Sequence, residues 1–222
     1  MAANELVMVF AKPAMPGAVK TRLLDILTPE QAARFHLAAL SDVVTAARRT
    51  GRPVELHVAG GADACDAYRT DYPGLSVMPQ SDGDLGARIV GALEGAFERG
   101  FLRAVIVGSD HPTIPPTHLT MALDLLAGVD LAFGPAHDGG YYAVAARSSA
   151  WPAARTVFEA IPWSTAEVLE ATLRRVRTAG LSHSLTPGWY DVDRPEDLHL
   201  LDRDAAEESA ALRFIREALG RV

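Results

Sequence analysis

Two acidic segments and one basic loop carry the chemistry open to this chain. The apolar run Ala104-Val105-Ile106-Val107 ends in Gly108-Ser109-Asp110, and Tyr190-Asp191-Val192-Asp193 follows far downstream. An apolar run of that kind reads as an inner parallel strand that lifts Asp110 to the carboxyl edge of a sheet, where open α/β folds place their ligands. Near the amino terminus, a loop shaped by Pro13, Pro16 and Gly17 carries Lys12, Lys20 and Arg22. Magnesium keeps an octahedral oxygen shell and takes one or two protein carboxylates plus substrate phosphates, so Asp110 and Asp193 suffice as ligands, with Asp191 as an alternative. The expectation is a divalent ion, Mg2+ or Mn2+, holding a nucleotide's phosphates beside a cradle of two ammonium point charges and one guanidinium fork. The competing readings are a plain loop of solvated cations, and an Asp193 that merely caps a helix beginning at Pro195.

Two further groups would complete such a site. In Gln80-Ser81-Asp82-Gly83-Asp84-Leu85-Gly86, backbone freed by Gly83 and Gly86 would approach a nucleobase or ribose, and Asp82 or Asp84 would accept from its hydroxyl or amino groups. A capped helix entry has the same composition. Asp138-Gly139-Gly140-Tyr141 and Trp163 would line an acceptor pocket, though each aromatic suits a core equally. His111 and His137 lack the paired spacing of zinc ligands and read as hydrogen-bonding residues. The amino-terminal loop, with Ala11 and Gly17 beside its cations, is neither a Walker motif nor a Gly-x-Gly-x-x-Gly fingerprint.

The elements that must position these groups alternate. A strand at Leu6–Ala11 precedes the basic loop, and Thr28-Pro29-Glu30-Gln31 opens a helix with a capping box and proline in the first turn, running to about Arg49. Strands near 54–59 and 75–78 flank a short acidic helical segment. A helix follows the glycine-rich loop to Arg99, with Gly100 as its stop. After Asp110 come a proline-rich turn, a helix near 119–126 and a strand near 130–133. Gly134 through Tyr142 is turn-rich and runs into an alternating strand that ends at Ala146, more like a sheet-capping β unit than another βαβ repeat. Ser164-Thr165-Ala166-Glu167 carries cap chemistry for a further helix, a strand follows near 181–185, and Arg194-Pro195-Glu196-Asp197 opens the terminal helices.

Composition limits the class. The 222 residues show no internal break and suit one α/β domain spanning 1–222, with a mixed, mostly parallel sheet flanked by helices. A net charge of −7 without a basic stripe argues against nucleic acid as a partner. Cys65 is the single cysteine, which excludes an internal disulfide and fits a reducing compartment. No stretch approaches the length of a membrane span, and Leu6–Ala11 lacks the preceding basic segment of a signal peptide, so the expected setting is the cytoplasm.

At this point a family resemblance becomes plain. Phe10-Ala11-Lys12, Pro16-Gly17, Lys20-Thr21-Arg22-Leu23, Gly83-Asp84-Leu85-Gly86, Gly108-Ser109-Asp110, Asp138-Gly139-Gly140-Tyr141-Tyr142, Pro162-Trp163-Ser164-Thr165 and Tyr190-Asp191-Val192-Asp193 with Pro195-Glu196-Asp197-Leu198 together resemble the type 1 radical-SAM/selenodomain-associated transferases, over Phe10 to about Leu198. The resemblance implies the glycosyltransferase-A fold, also called the nucleotide-diphospho-sugar transferase fold, and members are commonly labelled glycosyltransferases. A more distant similarity leads to phospholactate and molybdenum-cofactor guanylyltransferases. It implies that the loop after the first strand binds phosphates, the middle loop meets the base, and Asp110 and Asp193 hold magnesium. The chain departs from the pattern at His111 and at Arg194.

Charge favours one reaction over the other. Nucleotidyl transfer must stabilise attack at the α-phosphorus and departure of pyrophosphate, so a cationic loop in addition to a metal is useful, whereas a sugar transferase releases a diphosphate that a metal can often satisfy. Lys12, Lys20 and Arg22 favour the former, with Lys20, Arg22 and Asp110 as catalytic groups and an ionised acceptor that needs no general base. Transfer of a sugar from an NDP-sugar, with Asp138 at the acceptor hydroxyl, and a noncatalytic nucleotide sensor are the alternatives. The expected partners are thus a nucleotide donor and a small-molecule acceptor; base, acceptor and oligomeric state are left open by the residues.

Overall fold

The computed structural model describes residues 4–220. Strand β1 (Glu5–Ala11) is followed by the basic loop, a short 3-10 turn at Thr21–Leu23 and helix α1 (Pro29–Arg49). Next come β2 (Val54–Val58), α2 (Gly61–Asp71), β3 (Ser76–Pro79), α3 (Leu85–Glu98), β4 (Arg103–Gly108), α4 (Pro116–Leu125), β5 (Leu131–Pro135) and β6 (Tyr141–Arg147). The chain closes with α5 (Trp151–Ala154), α6 (Val168–Thr178), β7 (His183–Leu185), α7 (Leu198–Asp204) and α8 (Ala210–Ala218). The seven strands form one sheet in the order β3-β2-β1-β4-β6-β5-β7. Only β6 runs against its neighbours, so the carboxyl ends of the other strands and the start of β6 share one edge.

Both sheet faces are covered, which is why β1 and β4 read as continuous apolar runs. Val7, Val9 and Ala11 face one core with Leu40, Val44 and Leu119; Leu6, Met8 and Phe10 face another with Leu93, Phe133 and Phe158. A third, smaller core positions the site. Leu23 and Leu27 of the basic loop pack with Phe35 of α1, Tyr190 and Val192, and Leu201, Leu212 and Ile215 of the terminal helices. Apolar burial there ties the amino-terminal loop to the second acidic segment, and the two lie far apart in sequence.

The capping box at Thr28 forms as the spacing predicts, with Thr28 Oγ1 accepting from Gln31 N at 3.2 Å and Gln31 Oε1 accepting from Thr28 N at 2.8 Å. Two expectations fail. Ser164 caps nothing: it adopts a left-handed φ of 66°, and α6 begins only at Val168 after Glu167, which makes no side-chain cap. Asp193 does not cap the turn at Pro195 either: Arg194 is the N-cap residue, and Asp197 reaches back to accept from the N–H groups of Asp193 and Arg194 at 3.0 and 2.8 Å. The Asp193 carboxylate is left for other work.

Candidate active site

Asp110 stands two residues beyond β4, half-exposed at the sheet edge. Three hydrogen bonds bring the second acidic segment to it. Val192 N donates to Asp110 O at 2.9 Å, His111 Nδ1 donates to Tyr190 O at 2.9 Å, and Thr113 Oγ1 donates to Tyr190 Oη at 2.8 Å. Buried His111 is therefore a clip that holds Tyr190–Asp193 against β4.

The Lys20 ammonium lies between the two carboxylates, 2.5 Å from Asp110 Oδ1 and 2.7 Å from Asp193 Oδ1, and it also donates to Val192 O at 2.9 Å. Its side chain is only 1% exposed. Burial acts to lower the Lys20 pKa, but the Asp110 and Asp193 carboxylates outweigh it and hold the ammonium above its ordinary 10.5. Burial likewise opposes ionisation of Asp110, and Lys20 prevails, keeping that carboxyl well below the usual carboxylate range. The lysine expected to face phosphate is thus paired with the acids expected to hold metal. Its backbone is left-handed, at φ 49° and ψ 37°, a conformation costing a non-glycine residue about 1 kcal/mol or more.

Lys12, Lys20, Arg22, His36, Asp110 and Asp193 line one open cleft of about 200 Å³. Exposed Arg22 stands 3.6 Å from Asp193, and the Lys12 side chain is exposed. The Lys12 carbonyl is fixed from two sides, by buried His36 Nε2 at 3.0 Å and by Tyr68 Oη at 2.7 Å. A carbonyl can only accept, so His36 donates; burial lowers its pKa and keeps the ring neutral. Neither residue carries a sequence signal. Each lies on a helix whose spacing reads as core, α1 or α2, and only the fold aims it at the loop.

Asp191 is half-buried beside Asp193, and its pKa is raised by burial and then by that neighbouring charge, with Asp138 adding to it. Carboxylates therefore gather at this edge. Among the described residues no group of three or more His, Cys, Asp or Glu side chains is arranged to hold a metal ion. The oxygens of Asp110 and Asp193 nonetheless converge on one cation, which fits an ion that takes two protein carboxylates and completes its shell from substrate.

The other predicted groups lie outside this cleft's walls. The Ala11 carbonyl accepts from Ala59 N at 3.0 Å and from Gln80 Nε2 at 3.3 Å, and Gln80 Nε2 also reaches His57 O at 2.8 Å. Gly17 turns the exposed loop at φ 76°. Asp84 is the N-cap of α3, accepting from Ala87 N at 2.9 Å, so the capped-entry reading holds for that residue. Asp82, Gly83 and Leu85 are exposed. Gly86 is a packing glycine: a Cβ there would lie 2.3 Å from Phe158 O and 3.0 Å from Trp163 Cζ2.

On the acceptor side, Asp138 Oδ1 accepts from Gly140 N at 2.9 Å. Gly139 abuts Ala166, whose carbonyl would meet a Cβ at 2.1 Å. Tyr141 and Trp163 meet edge to face, with ring centroids 6.3 Å apart, against the core that includes Phe133 and Phe158. The buried Tyr141 Oη and Trp163 Nε1 have no hydrogen-bond partner among the described residues. No helix among those residues is long and apolar enough to cross a membrane.

This architecture is shared with solved structures. A provisionally assigned nucleotide-diphospho-sugar transferase from Desulfovibrio desulfuricans G20 matches with a TM-score of 0.87 and 30% identity, over 97% of this chain and 95% of that one. A 4-diphosphocytidyl-2C-methyl-D-erythritol synthase matches at 0.60 and 10% identity over 93% and 100% of the two chains. Rv0371C from Mycobacterium tuberculosis H37Rv, in complex with manganese, matches at 0.53 and 16% identity over 99% and 100%. The chain thus has the glycosyltransferase-A fold of sugar-nucleotide and nucleotidyl transferases. No curated protein matches the sequence. Residues 42–165, more than half of the chain, match the family described as "Uncharacterized protein conserved in bacteria (DUF2064)", and the chain belongs to that family.

Proposed function

We propose that this chain is a cytoplasmic, metal-dependent enzyme of one domain that uses a nucleotide donor. Its reaction is nucleotidyl transfer from a nucleoside triphosphate to a small phosphorylated acceptor, with release of pyrophosphate. The observation that carries this reading is the cleft in which Lys12, Lys20 and Arg22 meet Asp110 and Asp193. Three cations around two carboxylates exceed what the carboxylates need, and the excess suits a bound polyphosphate.

Asp110 and Asp193 would hold Mg2+ or Mn2+, and the ion, when bound, would offset negative charge on the phosphates. Lys12 and Arg22 extend into the cleft from the loop and neutralise the departing pyrophosphate. The loop at Asp82, Gly83 and Leu85 meets the base or ribose through exposed backbone. Asp138, next to the start of β6, orients the acceptor. A phosphate acceptor is already ionised at neutral pH, so no base is required and the chain's task is positioning. The resemblance to the radical-SAM/selenodomain-associated branch supports a nucleotide-dependent transferase, and the glycosyltransferase label its members commonly carry leans toward the second reading below.

The similarity to the Desulfovibrio protein favours a second reading, transfer of a sugar from an NDP-sugar to a hydroxyl beside Asp138. Incubation with a panel of nucleoside triphosphates and sugar phosphates tests the first reading, with pyrophosphate release as the expected result. Release of NDP from NDP-sugars instead would establish the second. Nucleotide binding with neither product across both panels would leave a sensor and overturn both.

A further inference from the structure

We infer that Lys20 is a displaceable internal cation, which occupies the carboxylate pair in the free protein and yields it to a divalent ion only when nucleotide phosphates arrive to receive the lysine. The inference rests on the metal reading above and adds an order to it: metal loading is conditional on nucleotide.

Geometry carries the argument. The ammonium contacts Asp110 and Asp193 at 2.5 and 2.7 Å, so it stands where an ion shared by the two would stand. Both cannot bind there, because a divalent ion next to the ammonium would meet repulsion that burial leaves poorly screened. Removing the ammonium alone would leave two facing carboxylates with no cation between them, exposed Arg22 standing 3.6 Å from Asp193 only, so departure and metal entry must be coupled.

The residue type fits the task. Lysine occurs only at positions 12 and 20, every other of the 21 basic residues being arginine, and both lysines lie in this loop. An ammonium is a compact point charge on a flexible stem, able to swing between oxygen cages; a guanidinium is a planar fork suited to one fixed geometry. Lys20 also sits at φ 49° and immediately precedes a 3-10 turn, and Gly17 at φ 76° lies three residues before it. A strained backbone that burial and ion pairing hold in place can relax once those pairs are given up. Within the same cleft, Lys12 and Arg22 are exposed and mark where phosphates would sit to receive the moving ammonium.

Two measurements, neither of them turnover, test this. Mn2+ binding followed by electron paramagnetic resonance, without nucleotide, is compared between the wild type and Lys20→Met, which keeps the stem and removes the charge. The variant is expected to bind Mn2+ at least about tenfold more tightly. Equal or weaker binding by a folded variant overturns the inference. In the wild type, lysine-selective 15N labelling gives two side-chain signals, those of Lys12 and Lys20. Mg2+ alone is expected to leave the Lys20 signal in place, and Mg2+ with non-hydrolysable nucleoside triphosphate analogues to move it. Displacement by Mg2+ alone, or an unmoved Lys20 signal in a protein whose other resonances report bound nucleotide, overturns the inference even if the variant fails to fold. Absence of nucleotide binding altogether counts against the proposed function instead, and the Mn2+ comparison then decides the fate of Lys20.

Discussion

The two ends of the candidate active edge are built on opposite plans. At the carboxylate end, charged side chains satisfy one another: Lys20 bridges Asp110 and Asp193, and Arg22 approaches the same acid. At the Gln80–Gly86 and Tyr141–Trp163 end, polar side chains hold backbone and glycines admit neighbouring chain. A buried charge is costly to leave unpaired but can pass from one ionic partner to another, whereas a cap or a packing glycine cannot move without disturbing what it supports. The first end is therefore suited to exchanging partners with ligand, and the second to a fixed wall that ligand would meet without rearrangement. Substitutions at the two ends should divide accordingly between activity and stability.

The largest effect is expected at Asp110. Asp110→Asn removes a charge that the proposed mechanism needs and should lower turnover about a thousandfold, read as pyrophosphate release. A loss smaller than about tenfold would end its assignment as a metal ligand. Its stability effect has a defined pH window. The folded-state pKa of Asp110 is depressed, so its contribution is present above the ordinary 3.8 and is lost as pH falls through the folded value. Lys20 is raised, so its contribution is full below 10.5 and lost as pH rises through the folded value. The gap in urea midpoint between wild type and Asp110→Asn should be flat from about pH 5 to 10 and close at both extremes. A gap that instead varies between about pH 6 and 7 would assign the coupling to a histidine.

Next in size is the wall. Gly86→Ala drives a methyl group into the Phe158 carbonyl and should destabilise the fold by about 2–4 kcal/mol in denaturant unfolding. A cost below about 0.5 kcal/mol would mean that the Phe158–Trp163 segment gives way, and that this end is mobile after all.

The same division explains what could be read in the sequence. Asp110 was legible because an apolar run ending in Gly-Ser-Asp has few other meanings in an α/β chain, and the Thr28 capping box because its chemistry is local. Asp84 and Gly86 present the same residue types whether they face a ligand or a helix turn, and only coordinates separate the two uses. Lys20 reads in the sequence as a phosphate-facing cation, whereas the fold pairs it with Asp110 and Asp193. Loop cations and distant acids are brought together by a third core that gathers Leu23, Val192 and Ile215 in one cluster, and no local spacing announces it. His36 and Tyr68, which fix the Lys12 carbonyl, were hidden for the same reason. Ser164 misled because its cap-like composition sits on left-handed backbone, where it cannot start a helix.

Smaller effects sharpen the contrast. The Arg22 side chain is 58% exposed, so Arg22→Ala should leave stability within about 0.5 kcal/mol of wild type and raise the KM for nucleotide about tenfold. An unchanged KM would confine the phosphate site to the lysines. Tyr141→Phe should have the smallest effect, and its sign is informative. Among the described residues the buried Tyr141 hydroxyl has no hydrogen-bond partner, and the Thr172 hydroxyl beside it donates to Val168 O at 2.8 Å. An unpaired buried hydroxyl lowers stability, so removing it should leave the protein equally stable or up to about 1 kcal/mol more stable, with turnover unaltered. If Tyr141→Phe instead raises the KM for the acceptor while stability holds, that hydroxyl is kept unpaired for the acceptor, and the second end would grip ligand through a buried side chain as well as through exposed groups.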